Sequence, residues 1–240
     1  MESNNFVRKV EFVTSAAKND GVPSGLPQIA VSGKSNVGKS SFINFLAGGG
    51  KPARVSKTPG RTRLLNCFKF TVAKAIEKKQ LPADGGDLLK NGNSLNSAAG
   101  KGLTEEFLLV DLPGYGFAKV SAGEQARWAE MVDEYLNNNR ELWHVLLLVD
   151  IRHDPTDNDL VMCNFLFRKN LPFTIIATKS DKLPKSKVKN QVSHIASLLK
   201  VGAGNIIPVS AQEGRGKDLV IERIRQVLEC HRPAQEIETE

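Results

Sequence analysis

The sequence predicts an α/β protein in three layers, a mostly parallel sheet with helices on both faces. Runs of strand length alternate with amphipathic helical patterns, the order that feeds a parallel sheet. The central runs FLLVD, VLLLVD and FTIIAT are continuously apolar, as strands buried on both faces are, and each ends in Asp or Thr.

Six strands follow, at Gln28 to Ser32, Leu64 to Thr71, Glu106 to Asp111, Val145 to Asp150, Phe173 to Thr178 and Asn205 to Pro208. The first helix runs from Ser40 to Leu46. A second opens at Ser121, which stands in capping-box spacing to Glu124. A third covers 155 to 169. Val188, Val192, Ile195 and Leu199 fall at i, i+4, i+7 and i+11, and Val220, Ile224, Val227 and Leu228 repeat the stripe, giving two further helices packed on the sheet.

From about 75 to 104 the chain is rich in Gly, Asn, Ser and Ala with weak periodicity, and it reads as a flexible insertion between strands. Loop-closure cost grows only logarithmically with length, so such an insertion is tolerated. The expected organisation is an N-terminal extension at 1–24, loose over about its first 20 residues, one domain at 25–232, and a loose acidic tail at 233–240.

With 240 residues, 40% of them hydrophobic, the chain can bury one large core. Cys67, Cys163 and Cys230 lie far apart and four scattered histidines complete no zinc motif, so unpaired thiols in a reducing compartment are expected. The longest apolar run, Val145 to Val149, falls far short of the ~18 residues of a membrane span. The N-terminal MESNNFVRKVEF lacks the apolar stretch of a signal peptide. A cytoplasmic monomer without membrane insertion is the expectation.

The net charge of +7 attracts anionic partners, and its distribution is informative. Residues 51 to 63 carry five basic side chains and no acidic one, and Lys182, Lys185, Lys187 and Lys189 form a second cluster. Both are candidate nucleic-acid footprints; the plain alternative is a solvated face near nucleotide.

The chemistry sits in motifs placed at strand ends. GKSNVGKS (Gly33, Lys34, Ser35, Asn36, Val37, Gly38, Lys39 and Ser40) follows the first strand and opens the first helix, the context that gives GxxxxGK[ST] meaning. Its glycines let successive N–H groups point at phosphate oxygens, and the helix N-terminus adds its positive end. Lys39 would reach the β- and γ-phosphates, and Ser40 would put its hydroxyl on Mg²⁺.

DLPG places Asp111 at the end of a buried strand, suited to hold Mg²⁺ through water, with the Gly114 N–H positioned to sense a γ-phosphate. TKSD ends a later strand, and Asp181 can accept the N1–H and exocyclic amine of guanine, a donor pair adenine lacks. Taken without the other motifs, Asp181 reads first as a helix N-cap or a solvated turn. Lys179 would lie along the purine face, and Ser210 and Ala211 could offer N–H groups to the guanine O6. A switch hydroxyl must also come from SKTPGRTR, where Thr62 is preferred to Thr58 because it stands just before the second strand.

The assembled motifs GKSNVGKSS, SKTPGRTR followed by LLNCFKF, DLPGYGFAKV and TKSDKL closely resemble the EngB (YihA/YsxC) family of bacterial GTP-binding proteins, related to Era and EngA. The resemblance covers residues 28 to 212 and implies a three-layer P-loop GTPase fold, with a mostly parallel six-stranded sheet and one antiparallel edge strand. It implies Mg²⁺ ligands at Ser40 and Thr62, which join Asp111, already read as holding the ion through water. It also implies GTP contacts at Gly33 to Ser40, at Gly60, Arg61, Thr62, Arg63 and Leu64, at Asp111, Leu112, Pro113 and Gly114, at Thr178, Lys179, Ser180 and Asp181, and at Val209, Ser210 and Ala211. It further implies a role in large ribosomal subunit assembly, normal cell division and septation, with ribosomal RNA or a large-subunit precursor as partner. The 75–104 segment departs from the family pattern.

Tyr115 stands where Ras-like proteins carry the water-orienting glutamine, so slow unaided hydrolysis is expected. Candidate catalytic residues are Lys39, Thr62 and Asn36, the last matching an asparagine that binds K⁺ in similar GTPases; Arg61 and Arg63 are alternatives for stabilising transition-state charge. A competing reading is a nucleotide-regulated scaffold that recruits an assembly or division protein, with hydrolysis incidental. An ATP-driven motor is disfavoured by Asp181.

Overall fold

The computed structural model describes residues 6–48, 52–53, 64–73, 104–115 and 122–231. Within them the order is β1 (Val7–Ala16), β2 (Gln28–Gly33), α1 (Lys39–Leu46), β3 (Leu65–Ala73), β4 (Thr104–Asp111), α2 (Ala122–Asn138), β5 (Leu142–Asp150), α3 (Asp157–Arg168), β6 (Phe173–Thr178), α4 (Lys185–Leu199), β7 (Ile206–Pro208) and α5 (Lys217–Cys230). The strands form one sheet in the order β1-β3-β4-β2-β5-β6-β7.

The three-layer α/β architecture stands as expected. Alternation along each buried strand divides the core. Ala30, Val110, Val145, Leu147 and Ile175 pack with Met131, Tyr135, Cys163, Leu166, Ile195 and Leu199 from α2, α3 and α4. Ile29, Val31, Leu109, Leu146, Leu148 and Ile176 pack on the other face with Phe42, Ile43 and Leu46 of α1 and with Val220, Ile224 and Leu228 of α5.

Two details of the expected sheet are corrected. The described residues give it seven strands, because residues 7–16, expected to be loose, pair antiparallel with β3 as β1. Among the described strands the single reversed one is β3, antiparallel to both β1 and β4, and it lies second from the edge. β1 escaped notice because an edge strand buries little: Arg8, Lys9 and Glu11 interrupt its apolar residues, and two register shifts break its ladder. Its start is pinned by Phe6, which is buried with the Arg225 guanidinium 5.0 Å from its ring centre.

β2, β4, β5 and β6 run parallel, so their carboxyl ends reach one edge together. Val31 is level with Asp111, Gly33 with Leu148 and Asp150 with Thr178. At the opposite end, His144 of β5 is buried with Nε2 2.9 Å from Thr174 Oγ1, and Arg223 Nη1 of α5 donates to the same hydroxyl at 2.6 Å. The expected insertion and acidic tail, and the Ser121 cap, lie outside the described residues.

Candidate nucleotide site

β2 runs straight into the glycine loop. Gly33 has φ 153°, and a Cβ there would stand 2.8 Å from the Leu148 carbonyl oxygen, so no larger residue fits. Gly38, at φ 111°, makes the turn into α1, whose first N–H groups receive no side-chain cap. Those groups and the helix dipole are available to an anion. Asn36 is left-handed at φ 61°, and the Val37 N–H donates to the Lys34 carbonyl at 3.2 Å.

Lys39 is buried, its ammonium donating to the Gly33 carbonyl at 3.4 Å. Burial pushes its pKa down, and the Asp111 charge opposes that. The Asp111 carboxyl is raised to about 6 by the same burial, with Lys39 opposing. Asp111 Oδ1 is buried without a hydrogen-bond partner. An unpaired carboxylate oxygen at a strand end, with the Ser40 hydroxyl in the first turn of α1, is a hard-oxygen donor set, and these residues fit Mg²⁺. Among the described residues no cluster of three His, Cys, Asp or Glu forms a separate metal site.

After Asp111 the chain crosses the glycine loop. The Leu112 side chain is buried in the core and its N–H donates to the Val31 carbonyl, so only its main chain is at the site. Gly114 lies so close that a Cβ would be 2.8 Å from Lys39 Nζ and 3.1 Å from Ser35 Cα. The Ser35 N–H donates to the Tyr115 carbonyl at 2.9 Å, and the Tyr115 hydroxyl donates to Asp159 Oδ1 at 2.7 Å. Asp159 also caps α3, its Oδ2 accepting from the Thr156 N–H and hydroxyl. Gly60, Arg61, Thr62 and Arg63, and Thr58, lie outside the described residues; Leu64 is an exposed residue just ahead of β3.

The residues expected to form the base pocket converge from the ends of β6 and β7. Thr178 Oγ1 is 2.8 Å from the Val37 carbonyl and 3.0 Å from that of Val149, tying β6 to the glycine loop. Lys179, at φ 61°, donates to the Asn36 carbonyl at 2.9 Å and to Asp150 Oδ2 at 2.8 Å. The Ser180 N–H donates to the Val209 carbonyl, and the buried Ser210 hydroxyl donates to Asp181 Oδ1 at 2.8 Å. Burial alone would raise the Asp181 carboxyl, but the Ser210 hydroxyl and Lys182 outweigh it and hold the pKa below its ordinary value. Ala211 is exposed beside them. The glycine loop, the DLPG turn and the TKSD turn thus share one edge, with the Asp181 carboxylate held at one end and the buried Lys39 ammonium at the other.

Sequence reasoning missed Asp150, Arg152 and Asp159. Asp150 ends a continuously apolar strand with an arginine two residues on, a signal that was visible but shared by many solvated turns. Asp159 carries no such signal, because the capping box explains it fully.

The sequence model of the family described as 50S ribosome-binding GTPase matches residues 28–179. The chain is 35% identical over 224 residues to the probable GTP-binding protein EngB of Caldanaerobacter subterraneus subsp. tengcongensis, covering 93% of this chain and 98% of that one. A crystal structure of a probable GTP-binding protein engB superposes with TM-score 0.60 at 23% identity, over 84% of this chain and 98% of that one. The structure of Era in complex with MgGDPNP and nucleotides 1506-1542 of 16S ribosomal RNA superposes with TM-score 0.59 at 21% identity, over 91% of this chain and 60% of that one, a likeness of fold. No helix among the described residues is long and apolar enough to cross a membrane.

Proposed function

Because this chain belongs to the EngB family of GTP-binding, GTP-hydrolysing P-loop proteins, we propose that it is a slow molecular switch whose GTP state docks on ribosomal RNA or a large-subunit precursor during assembly. The same reading extends to a requirement in normal cell division and septation. The observation that carries the nucleotide half is the union of base pocket and phosphate loop through Lys179, beside an Asp181 carboxylate oriented by Ser210.

In this reading Asp181 accepts the two guanine donors, and the Lys179 stem covers the purine. Lys39 reaches the β- and γ-phosphates, and the α1 N-terminus receives the anionic oxygens. Ser40, Asp111 and Thr62 would hold Mg²⁺, which when bound neutralises charge on the phosphates. The Gly114 N–H senses the γ-phosphate, and loss of that phosphate releases the segments bearing Thr62 and Gly114. Hydrolysis is slow because Tyr115 supplies no carboxamide to orient water and its hydroxyl is engaged by Asp159. Asn36, at the loop's exposed mouth, is the K⁺ candidate, read out by comparing turnover in KCl and NaCl.

The ribosomal half rests on the family description and on the lysines following Asp181, where Lys185, Lys187 and Lys189 are all at the surface. Calorimetric titration of GDP, a GTP analogue and an ATP analogue, into wild type and Asp181→Asn, tests the pocket. Guanine-selective binding that weakens at least tenfold in the variant is expected; equal binding of ATP would refute the pocket. Sedimentation with ribosomal subunits tests the partner: capture that needs the GTP analogue and falls steeply with salt is expected, and salt-independent capture would favour a protein partner instead.

A further inference from the structure

Beside the base pocket stand an aspartate and an arginine, Asp150 and Arg152, that the proposed mechanism does not use. Asp150, the last residue of β5, receives four hydrogen bonds. Arg152 Nε donates to Oδ1 at 2.9 Å, its Nη2 to Oδ2 at 2.7 Å, its main-chain N–H to Oδ1 at 3.1 Å, and Lys179 Nζ to Oδ2 at 2.8 Å. The guanidinium contact is a two-pronged fork, the geometry that fixes a carboxylate in orientation as well as position. Burial would raise the Asp150 carboxyl, but the hydrogen bonds from Arg152 and Lys179 hold it well below the usual carboxylate range.

We propose that Asp150 is a positioning residue for guanine-nucleotide binding. Clamped by Arg152, it holds the Lys179 ammonium against the Asn36 carbonyl, so that the lysine's alkyl stem is a fixed platform for the purine and the phosphate loop is locked to the base pocket. Three segments distant in sequence, at 36, 150 and 179, meet on that one ammonium. Lysine has a long flexible stem, and Lys179 is still 30% exposed, so without a second anchor its head swings to water and must be reordered at each binding event. The proposal rests on the guanine-pocket reading above and adds the residue that preorganises it.

The test is a double-mutant cycle in the full chain, made of wild type, Asp150→Asn, Lys179→Met and the double variant. Release of a fluorescent GDP by stopped flow, KM and kcat for GTP, and thermal stability are measured for each. Asp150→Asn should speed GDP release about tenfold and raise KM for GTP comparably with kcat within about twofold, while adding nothing in the Lys179→Met background. Arg152→Lys, which keeps the charge and loses the fork, should speed release about threefold. Additive effects of the two substitutions, or a fall in kcat at unchanged KM, would overturn the assignment. Should Asp150→Asn not fold, unchanged GDP release in Arg152→Lys would overturn it equally. A wild type that fails to prefer GDP over ADP would instead sink the guanine pocket itself, so the two failures are told apart.

Discussion

The Tyr115 hydroxyl and Asp159 Oδ1 are 2.7 Å apart, joining the residue directly after the DLPG turn to the first turn of α3. The side chain is therefore a strut between the DLPG turn and α3. Tyr115→Phe should lower stability by about 1–2 kcal/mol, since it strips a donor from a buried carboxylate. It should leave GTP turnover within about threefold of wild type. Tyr115→Gln should not accelerate hydrolysis, and a rise above about tenfold in a phosphate-release assay would show that the position faces the reacting water.

The Ser210 hydroxyl donates a hydrogen bond to Asp181 Oδ1 and accepts one from the Glu213 N–H at 3.0 Å, so one buried hydroxyl orients the carboxylate and braces the following turn. Ser210→Ala should weaken GDP and GTP-analogue binding by about tenfold, the size of one lost hydrogen bond to a charged group. Affinity for an ATP analogue should not change, which calorimetry resolves.

Gly114→Ala would put a methyl group 2.8 Å from Lys39 Nζ and 3.1 Å from the Ser35 backbone. The lysine tip can move but the glycine loop cannot, and the displaced group is the N–H that the proposed switch offers to a γ-phosphate. Turnover should fall by at least about tenfold while GDP affinity stays within about threefold, a split expected of a donor that matters only when the third phosphate is present.

Burial, with Arg223 and His231 adding to it, pushes the His144 imidazole down to about 4 from 6.5. The unfolded chain therefore binds a proton more readily than the folded one. The stabilisation is complete above pH 6.5 and is lost as pH falls through about 4. In unfolding titrations, wild type should lose about 2 kcal/mol more between pH 7 and pH 4.5 than His144→Gln, using about 1.4 kcal/mol per pKa unit. Equal losses would mean that His144 does not titrate in this window.

The legible parts of the fold were those where local pattern and tertiary role coincide. β4, β5 and β6 are buried on both faces, so FLLVD, VLLLVD and FTIIAT carry their structure in composition alone. The glycine loop was legible because phosphate binding needs particular residues at fixed spacing. β1 was not, because its stability comes from pairing with β3 and from Phe6 under Arg225, neither of which leaves a periodic trace. Asp150 and Asp159 were opaque for a related reason: a carboxylate's role is set by the partner that approaches it, and Lys179 and Tyr115 come from other segments of the chain.

The pairing of β1 with β3 also sets a clock on synthesis. Among the described strands β1 is made first, yet Ala16 pairs with Leu65 and Val7 with Val72, about fifty to sixty-five residues later. At about 5–20 residues per second, its partner is completed only about 3 to 13 seconds afterwards. For that interval the nascent chain carries an extended segment with no native neighbour, and the charges of Arg8, Lys9 and Glu11 discourage other strands from adding to it. Even so, β3 ends at Ala73, well before β4 or β5, the neighbours of β2, so among the described strands β1 and β3 are the first pair to have both members made.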